Sequence, residues 1–382
     1  MGAIRLGIVG AGWGANHARV AAELQPLVEV RALCARRPER MAALAAELGL
    51  PREACLLHWE ELVQREDVDL VVVTAPDALH APITLAAIGA GKHVFCEKPL
   101  AMDAAQAEQM LQVAEQAGVA HFTGFTWRFA PPFATIRRLI EAGVLGAVQL
   151  IDAHFRIGPP LPGKEWQLDP EQRAGGVLGN LGVHLIDLAR YLAAGPGEPA
   201  LPEPSRAVPW RVWAHCEQWA SRAGAAAPGD LRTNDVCWLH LEAGAGQPIW
   251  SARLQVSQVF TLRASDPVRV EVHGTEATAI GYANPLLPER QRVSLVRRIS
   301  QLPEPIEPLV YPGGPPAPPT AALPSGGLLR PTIRYLYESH IVPRLAGGRP
   351  AAHTPTFRDG WIAQRVMDAA LHSAARGEWQ AV

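Results

Sequence analysis

The feature that most constrains this chain is a turn of small residues, Gly10-Ala11-Gly12-Trp13-Gly14-Ala15. It lies between the apolar run Ile4–Val9 and a helical pattern over Ala15–Leu24. It matches G-x-G-x-x-A in the strand–turn–helix context that gives the pattern its meaning. In such a turn Gly10 makes the tight bend, and Gly12 lets the backbone approach a pyrophosphate. Ala15 is small enough for the helix to lie on the strand. Trp13 and Gly14 complete the turn, and the helix start offers free N–H groups and a positive dipole end to phosphate oxygens. The turn predicts a dinucleotide-binding unit at the N-terminus.

The periodicity that follows agrees. Val28–Ala35 predicts a second strand, and Pro38 starts a helix running to Leu48. Leu70-Val71-Val72-Val73 is a continuous apolar run, as found in strands buried on both faces of a parallel sheet. Helices over Ala81–Gly89 and Asp103–Gln116, the latter capped by Asp103, alternate with strands at His93–Cys96 and His121–Phe125. Beyond residue 125 the pattern changes. A helix near Phe133–Ala142 leads into strands at Val148–Arg156, Arg211–Glu217, Asp235–Glu242, Ile249–Val259 and Val268–His273. Most of these alternate apolar and polar residues, as antiparallel sheets with one wet face do. A helix at Leu181–Leu192 interrupts them, and Asp359–Arg376 reads as a last helix. The Pro- and Gly-rich segment Pro303–Gly327 reads as irregular, either a surface loop or a substrate lid. A chain of 382 residues exceeds one compact core. The expected architecture is an α/β Rossmann domain over residues 1–125, followed by an α+β domain over 126–382 built on a large, mainly antiparallel sheet.

Composition excludes several classes. A net charge of −2 lacks the basic excess that nucleic-acid binding requires. No stretch of 18 apolar residues occurs, which argues against a membrane span, and Ile4–Val9 is too short for a signal sequence. Cys34, Cys55, Cys96, Cys216 and Cys237 are scattered without a CxxC, and read as buried reduced thiols of a cytoplasmic protein. No His, Cys or carboxylate spacing suggests a metal site.

Three places carry candidate chemistry. An NAD-selective unit places an acidic residue at the end of its second strand to bind the ribose 2′-hydroxyl. Here no acid occurs from Val30 to Pro38, and Arg36 and Arg37 stand there instead. A guanidinium suits a 2′-phosphate, so NADP is the expected cofactor, with NAD the alternative. The second place is Glu97-Lys98-Pro99, at the carboxyl end of a predicted parallel strand, where ligands of open α/β sheets bind. Lys98 is one of only three lysines in the chain, and there it can stabilise developing alkoxide charge. Lys92 reads as a solvated cation after a helix. The third place is Ala174-Gly175-Gly176 running to Asn180 and His184, four residues apart on one predicted helical face. His184 can accept the proton that leaves a hydroxyl as hydride departs. Around these, Arg128 and Trp166 are candidates for substrate contact, with an ion pair and simple packing as their plain alternatives. Asp77 and His80 follow the Leu70–Val73 strand and could approach a nicotinamide ribose, though Asp77 also suits a helix cap.

Taken together, these segments resemble the glucose–fructose oxidoreductase / inositol dehydrogenase (Gfo/Idh/MocA) family. The matching residues are Gly10-Ala11-Gly12, Thr74-Ala75-Pro76 with His80, Gly91-Lys92-His93-Val94 running into Glu97-Lys98-Pro99, and Gly124 with Arg128-Phe129. Gly175-Gly176 running to Gly182, His184 and Asp187, and Thr356-Phe357-Arg358-Asp359-Gly360, extend the match along nearly the whole chain. The resemblance implies that Thr74, Pro76, His80 and Glu97 help bind the cofactor. It also implies that Lys98 and His184 act together, and that the second domain supports a homodimer or homotetramer. Three positions depart from the family pattern: Asn180 replaces an aspartate, Ala174 the first of three glycines, and Thr126 an asparagine. Asn180 cannot take a proton but can bind substrate or orient His184.

The expected activity is hydride transfer between a nicotinamide and a hydroxyl or carbonyl carbon of a sugar, polyol or related small molecule. The alternatives are a cofactor-retaining hydrolase or lyase that oxidises its substrate transiently, and a non-catalytic dinucleotide-binding sensor.

Overall fold

In the computed structural model of the chain, the described residues are 2–158, 169–197, 209–219, 231–244, 249–259, 268–284, 290–298, 303–306 and 329–382. They form two compact units. The first contains Met1–Phe125 together with Arg330–Trp361, and the second contains Thr126–Leu329 together with Ile362–Val382. The expected single uninterrupted second domain, 126–382, is thereby corrected. A stretch late in the chain joins the first unit, and local periodicity carries no information on which core a distant helix completes.

The first unit is built on six parallel strands: β1 (Ile4–Val9), β2 (Val28–Cys34), β3 (Cys55–Leu56), β4 (Leu70–Val73), β5 (His93–Cys96) and β6 (His121–Thr123). Their order is β3-β2-β1-β4-β5-β6, so the direction of winding reverses between β1 and β4. That switch point is where such sheets bind ligands. Helices α1 (Gly14–Glu23), α2 (Pro38–Leu48), α3 (Trp59–Val63), α4 (His80–Gly89) and α5 (Ala104–Ala117) connect the strands. As expected, Asp103 caps α5, its carboxylate accepting from the Gln106 N–H at 2.8 Å. One core layer gathers Val71, Val73, Val94 and Cys96 of the sheet with Ile83, Ile88, Met110 and Leu111 of α4 and α5. Phe357, from the late segment, is fully buried in the same cluster. Burying an aromatic or branched side chain of this size contributes about 1.5–3 kcal/mol.

The second unit begins with α6 (Pro131–Glu141), β7 (Val148–Arg156) and α7 (Val183–Ala193). Its other strands are β8 (Trp210–Glu217), β9 (Val236–Ala243), β10 (Trp250–Ser257), β11 (Val268–Gly274), β12 (Ala277–Ala283), β13 (Arg292–Arg297), β14 (Pro303–Ile306) and β15 (Gln380–Ala381). The nine strands run β14-β13-β12-β11-β7-β10-β9-β8-β15. Every pairing is antiparallel except β7 with β10. Burial alternates strictly along β8 and β12, the sign of a sheet with one covered face. Gly281 on β12 lies so close under α6 that a Cβ there would stand 2.9 Å from Ile136.

The differences from expectation have local causes. Residues 303–306 of the Pro-rich segment form an edge strand, where Pro303 and Pro305 are tolerated because an edge leaves backbone donors unneeded. Described structure in that segment ends there, at Ile306. No clear strand pattern marks β12 and β13, since Ala, Gly, Ser and Arg blunt their signal. Cys216 and Cys237 face each other across β8 and β9, Cα atoms 4.2 Å apart, and are joined by a disulfide. Only Cys34, Cys55 and Cys96 are the free thiols expected. Pairing of residues 21 apart in sequence depends on strand register, which spacing alone does not reveal.

Candidate functional site

At the switch point, the Gly10 turn leaves β1 with φ +113°, a conformation that a side chain would strain. A Cβ on Gly10 would also stand 2.5 Å from Thr74 Oγ1. Thr74, just past β4, explains this crowding: its hydroxyl donates to the Val9 and Gly10 carbonyls at 2.9 and 3.0 Å. Gly14 is equally confined, between Ile8 and Thr74, so it shares with the buried Ala15 the packing task expected of Ala15 alone. Gly12 is different. Nothing lies within 4 Å of where its Cβ would be, so its backbone presents an open face. A tightly clamped first glycine followed by an open second one is the shape a pyrophosphate needs, and the residues present fit a dinucleotide. Pro76 stands at the head of the short turn Asp77–Leu79, two residues beyond Thr74.

The Glu97 side chain ties this turn to the end of β5. Its carboxylate accepts from the Trp13 indole N–H at 2.8 Å and from the Lys98 backbone N–H at 3.2 Å. His17 Nε2 stands 3.6 Å away, an ion-pair distance. Burial works to raise the Glu97 carboxyl, but the His17 ring and then the Lys98 charge outweigh it and hold it below the usual carboxylate range. Behind His17 lies the fully buried Tyr337, its hydroxyl 3.2 Å from Nδ1. Burial, with the Glu97 charge, pushes that phenol up, so it stays neutral. Lys98 itself is half-buried and joined to Pro99 by a cis peptide bond. The contacts of Glu97 thus tie the backbone at Lys98 to Trp13 of the glycine turn. No sequence signal pointed to His17 or Tyr337.

Arg36 and Arg37 lie just beyond β2 and are exposed, and neither forms an ion pair among the described residues. His80 departs from expectation. It is 1% exposed, and its two ring nitrogens lie 2.8 Å from the Pro99 carbonyl and 3.0 Å from the Ala75 carbonyl. Direct contact with a ribose is corrected to a role inside the protein, because both polar atoms are already engaged.

In the second unit, Asn180 lies in a wider π-helical turn, Leu178–Gly182, that precedes α7, rather than in the regular helix expected. Its carbonyl accepts from the buried Arg173, and its amide donates to Gln258 at 3.3 Å. Gly175 and Gly176 both take left-handed conformations. A Cβ on Gly176 would stand 2.5 Å from the Asn234 carbonyl, so the close approach that Gly176 allows is to Asn234. Asn234 returns the contact, donating to Gly175 O at 3.0 Å and accepting from Leu178 N–H at 3.2 Å. His184, near the start of α7, is 8% exposed. Its ring lies edge-on to Trp127 and tilted against Phe155, with centroids 6.3 and 6.4 Å away.

Arg128 is corrected from a substrate contact to a core ion pair. Its guanidinium grips Asp187 in two parallel bonds, Nε to Oδ2 at 2.7 Å and Nη2 to Oδ1, with both side chains almost fully buried. It also lies over the Tyr191 ring. The motif pointed to an arginine here, but only packing shows that its partner is internal. Trp166 lies outside the described residues. Among those residues no cluster of three or more His, Cys, Asp or Glu side chains could hold a metal, and no helix is long and apolar enough to cross a membrane.

Residues 4–125 match the oxidoreductase family with an NAD-binding Rossmann fold, and residues 133–280 match the GFO/IDH/MocA C-terminal domain. The chain belongs to the Gfo/Idh/MocA oxidoreductase family. A levoglucosan dehydrogenase of Pseudarthrobacter phenanthrenivorans is 30% identical over 203 residues, which are 50% of this chain and 51% of that protein. The chain thus spans about half the length of the first curated relatives it matches. Glucose-fructose oxidoreductase domain-containing protein 2 of Xenopus tropicalis is 25% identical over 99% of this chain and 93% of its own. In fold, a levoglucosan dehydrogenase solved with NADH and levoglucosan superposes with a TM-score of 0.78 at 22% identity, covering 99% of both chains. This Gfo/Idh/MocA member therefore pairs a Rossmann unit with the family's mostly antiparallel sheet.

Proposed function

We propose that this chain transfers hydride between a nicotinamide dinucleotide and a hydroxyl or carbonyl carbon of a sugar, polyol or anhydrosugar. The observation that carries the reading is the Lys98 turn, anchored by Glu97 to Trp13 within the dinucleotide turn. When bound, the nicotinamide supplies the hydride acceptor or donor. Gly10, Gly12 and the start of α1 hold the pyrophosphate. The Lys98 ammonium stabilises negative charge on the reacting oxygen, and the His184 imidazole accepts or returns the hydroxyl proton. Asn180, held by Arg173 and Gln258, offers a fixed amide to a substrate hydroxyl. The name of the levoglucosan dehydrogenase relative supports an anhydrosugar or related polyol as the substrate class.

Exposed Arg36 and Arg37, with no acid between Val30 and Pro38, support a preference for NADP(H) over NAD(H). Exposed Trp213, Trp219 and Trp379 of the second unit support a homo-oligomer, which light scattering measures.

The test is turnover at 340 nm over a panel of anhydrosugars, inositols and aldoses with each dinucleotide. Lys98→Met and His184→Ala are each expected to lower kcat by about a hundredfold or more. Intact turnover in either variant overturns that residue's role. Equal affinity for NADH and NADPH overturns the cofactor preference.

A further inference from the structure

His80 was expected at the cofactor, yet it lies inside the first unit, at the start of α4. Its side chain has two polar atoms, the ring nitrogens, and each faces a backbone carbonyl. A carbonyl oxygen only accepts hydrogen bonds. A neutral imidazole carries one N–H and one lone pair, so either neutral tautomer would set a lone pair against a carbonyl. At 1% exposure there is no solvent to relieve that contact.

We propose that His80 is a charged strut, a doubly donating imidazolium that joins the Ala75 carbonyl to the Pro99 carbonyl and thereby sets the position of Lys98. The proposal rests on the reading of Lys98 as the cation that acts on the reacting oxygen. The two carbonyls belong to different turns. Ala75 follows β4 and sits next to Thr74, whose hydroxyl holds Gly10. Pro99 follows β5 and Lys98. With Glu97 bonded to Trp13, the contacts close a ring: Gly10 to Thr74, Ala75 to His80, His80 to Pro99, and Glu97 back to Trp13. Removing the strut opens the ring on the side that carries Lys98.

A cation at the first residue of a helix opposes the helix dipole, so the charge needs local compensation. Asp77, 2% exposed, and Cys96, fully buried, are the ionisable groups that act on the ring. Burial works against the charge, but Cys96, then Asp77 and the Pro99 carbonyl, outweigh it and push the ring up to about 10. Two charge-assisted hydrogen bonds outweigh the dipole term, since each is about twice as strong as a neutral one.

Nitrogen NMR of 15N-histidine-labelled protein at pH 8 tests the charge directly and needs no variant. The His80 signal, assigned by its loss in His80→Asn, is expected to show both ring nitrogens protonated. A bare nitrogen overturns the proposal. The positioning half is read on lysines labelled with 13C at Cε, of which the chain has only three. In His80→Asn the Lys98 resonance, assigned with Lys98→Met, is expected to shift while that of Lys92 stays fixed. Affinity for NADPH should change less than about twofold. An unmoved Lys98 signal, or a large loss of NADPH affinity that marks His80 as a cofactor contact, overturns it. If Lys98→Met retains turnover, the chemical role of Lys98 fails, while the strut stands or falls on ring protonation and the Lys98 signal alone.

Discussion

Two histidines of the first unit shift in opposite directions, and they bend stability in opposite directions with pH. His80 rises from an ordinary value of 6.5 to about 10, so its contribution is complete below pH 6.5 and is lost as pH climbs to 10. His121 falls to about 4, through burial first and then the Arg344 and Arg358 cations, and its Nδ1 accepts from the Phe357 N–H at 3.2 Å. Between pH 4 and 6.5 the unfolded chain binds the extra proton at His121, so stability declines as pH falls through that range. Urea midpoints across pH are expected to show both slopes. His80→Asn should flatten the alkaline one and His121→Gln the acid one, each leaving the other in place. At Arg128 and Asp187 the prediction concerns burial. Replacing Asp187 with Ala strands a buried guanidinium and should cost roughly 3–5 kcal/mol in chemical denaturation. Replacing both partners with apolar residues should cost less, because no uncompensated charge remains. A motif at Arg128 was legible in the sequence. Its buried partner was not, since pairing across 59 residues is a product of packing.

At the scale of elements, the two glycine turns look alike in sequence and do different work. The Gly10 turn is clamped from behind by Thr74 and open in front at Gly12, which suits a ligand. The Gly175-Gly176 turn is clamped by Asn234 and serves the fold. Gly10→Ala meets a strained backbone and Thr74 2.5 Å away, and is therefore expected to abolish dinucleotide binding in calorimetry and also to lower stability in chemical denaturation. Gly176→Ala meets a left-handed backbone and a carbonyl 2.5 Å away, and should lower stability by about 2 kcal/mol or more. The strands and helices of the first unit were legible because parallel strands buried on both faces are continuous apolar runs and their helices carry clear caps. The π-helical turn before α7 was not, because the extra backbone width that Asn180 occupies has no residue signature.

At the scale of the molecule, the first unit is not complete at residue 125. Tyr337 closes the buried side of His17, and Phe357 fills the core beside Val73 and Met110. A fragment of residues 1–125 should therefore show the poor NMR dispersion of an unfinished core, and adding a peptide of residues 330–361 should sharpen it. Good dispersion in the fragment alone would show that the late segment is dispensable. Read alone, the sequence determined the class of each half, the dinucleotide turn, the Lys98 turn and the family, since these depend on local periodicity and on residues at short spacing. Only the tertiary structure decided that residues 330–361 complete the first unit, that Cys216 meets Cys237, that Arg128 is spent on Asp187, and that His80 lies between two carbonyls. Each of these is a meeting of atoms from separate elements, and strand register and core packing place them where spacing along the chain cannot.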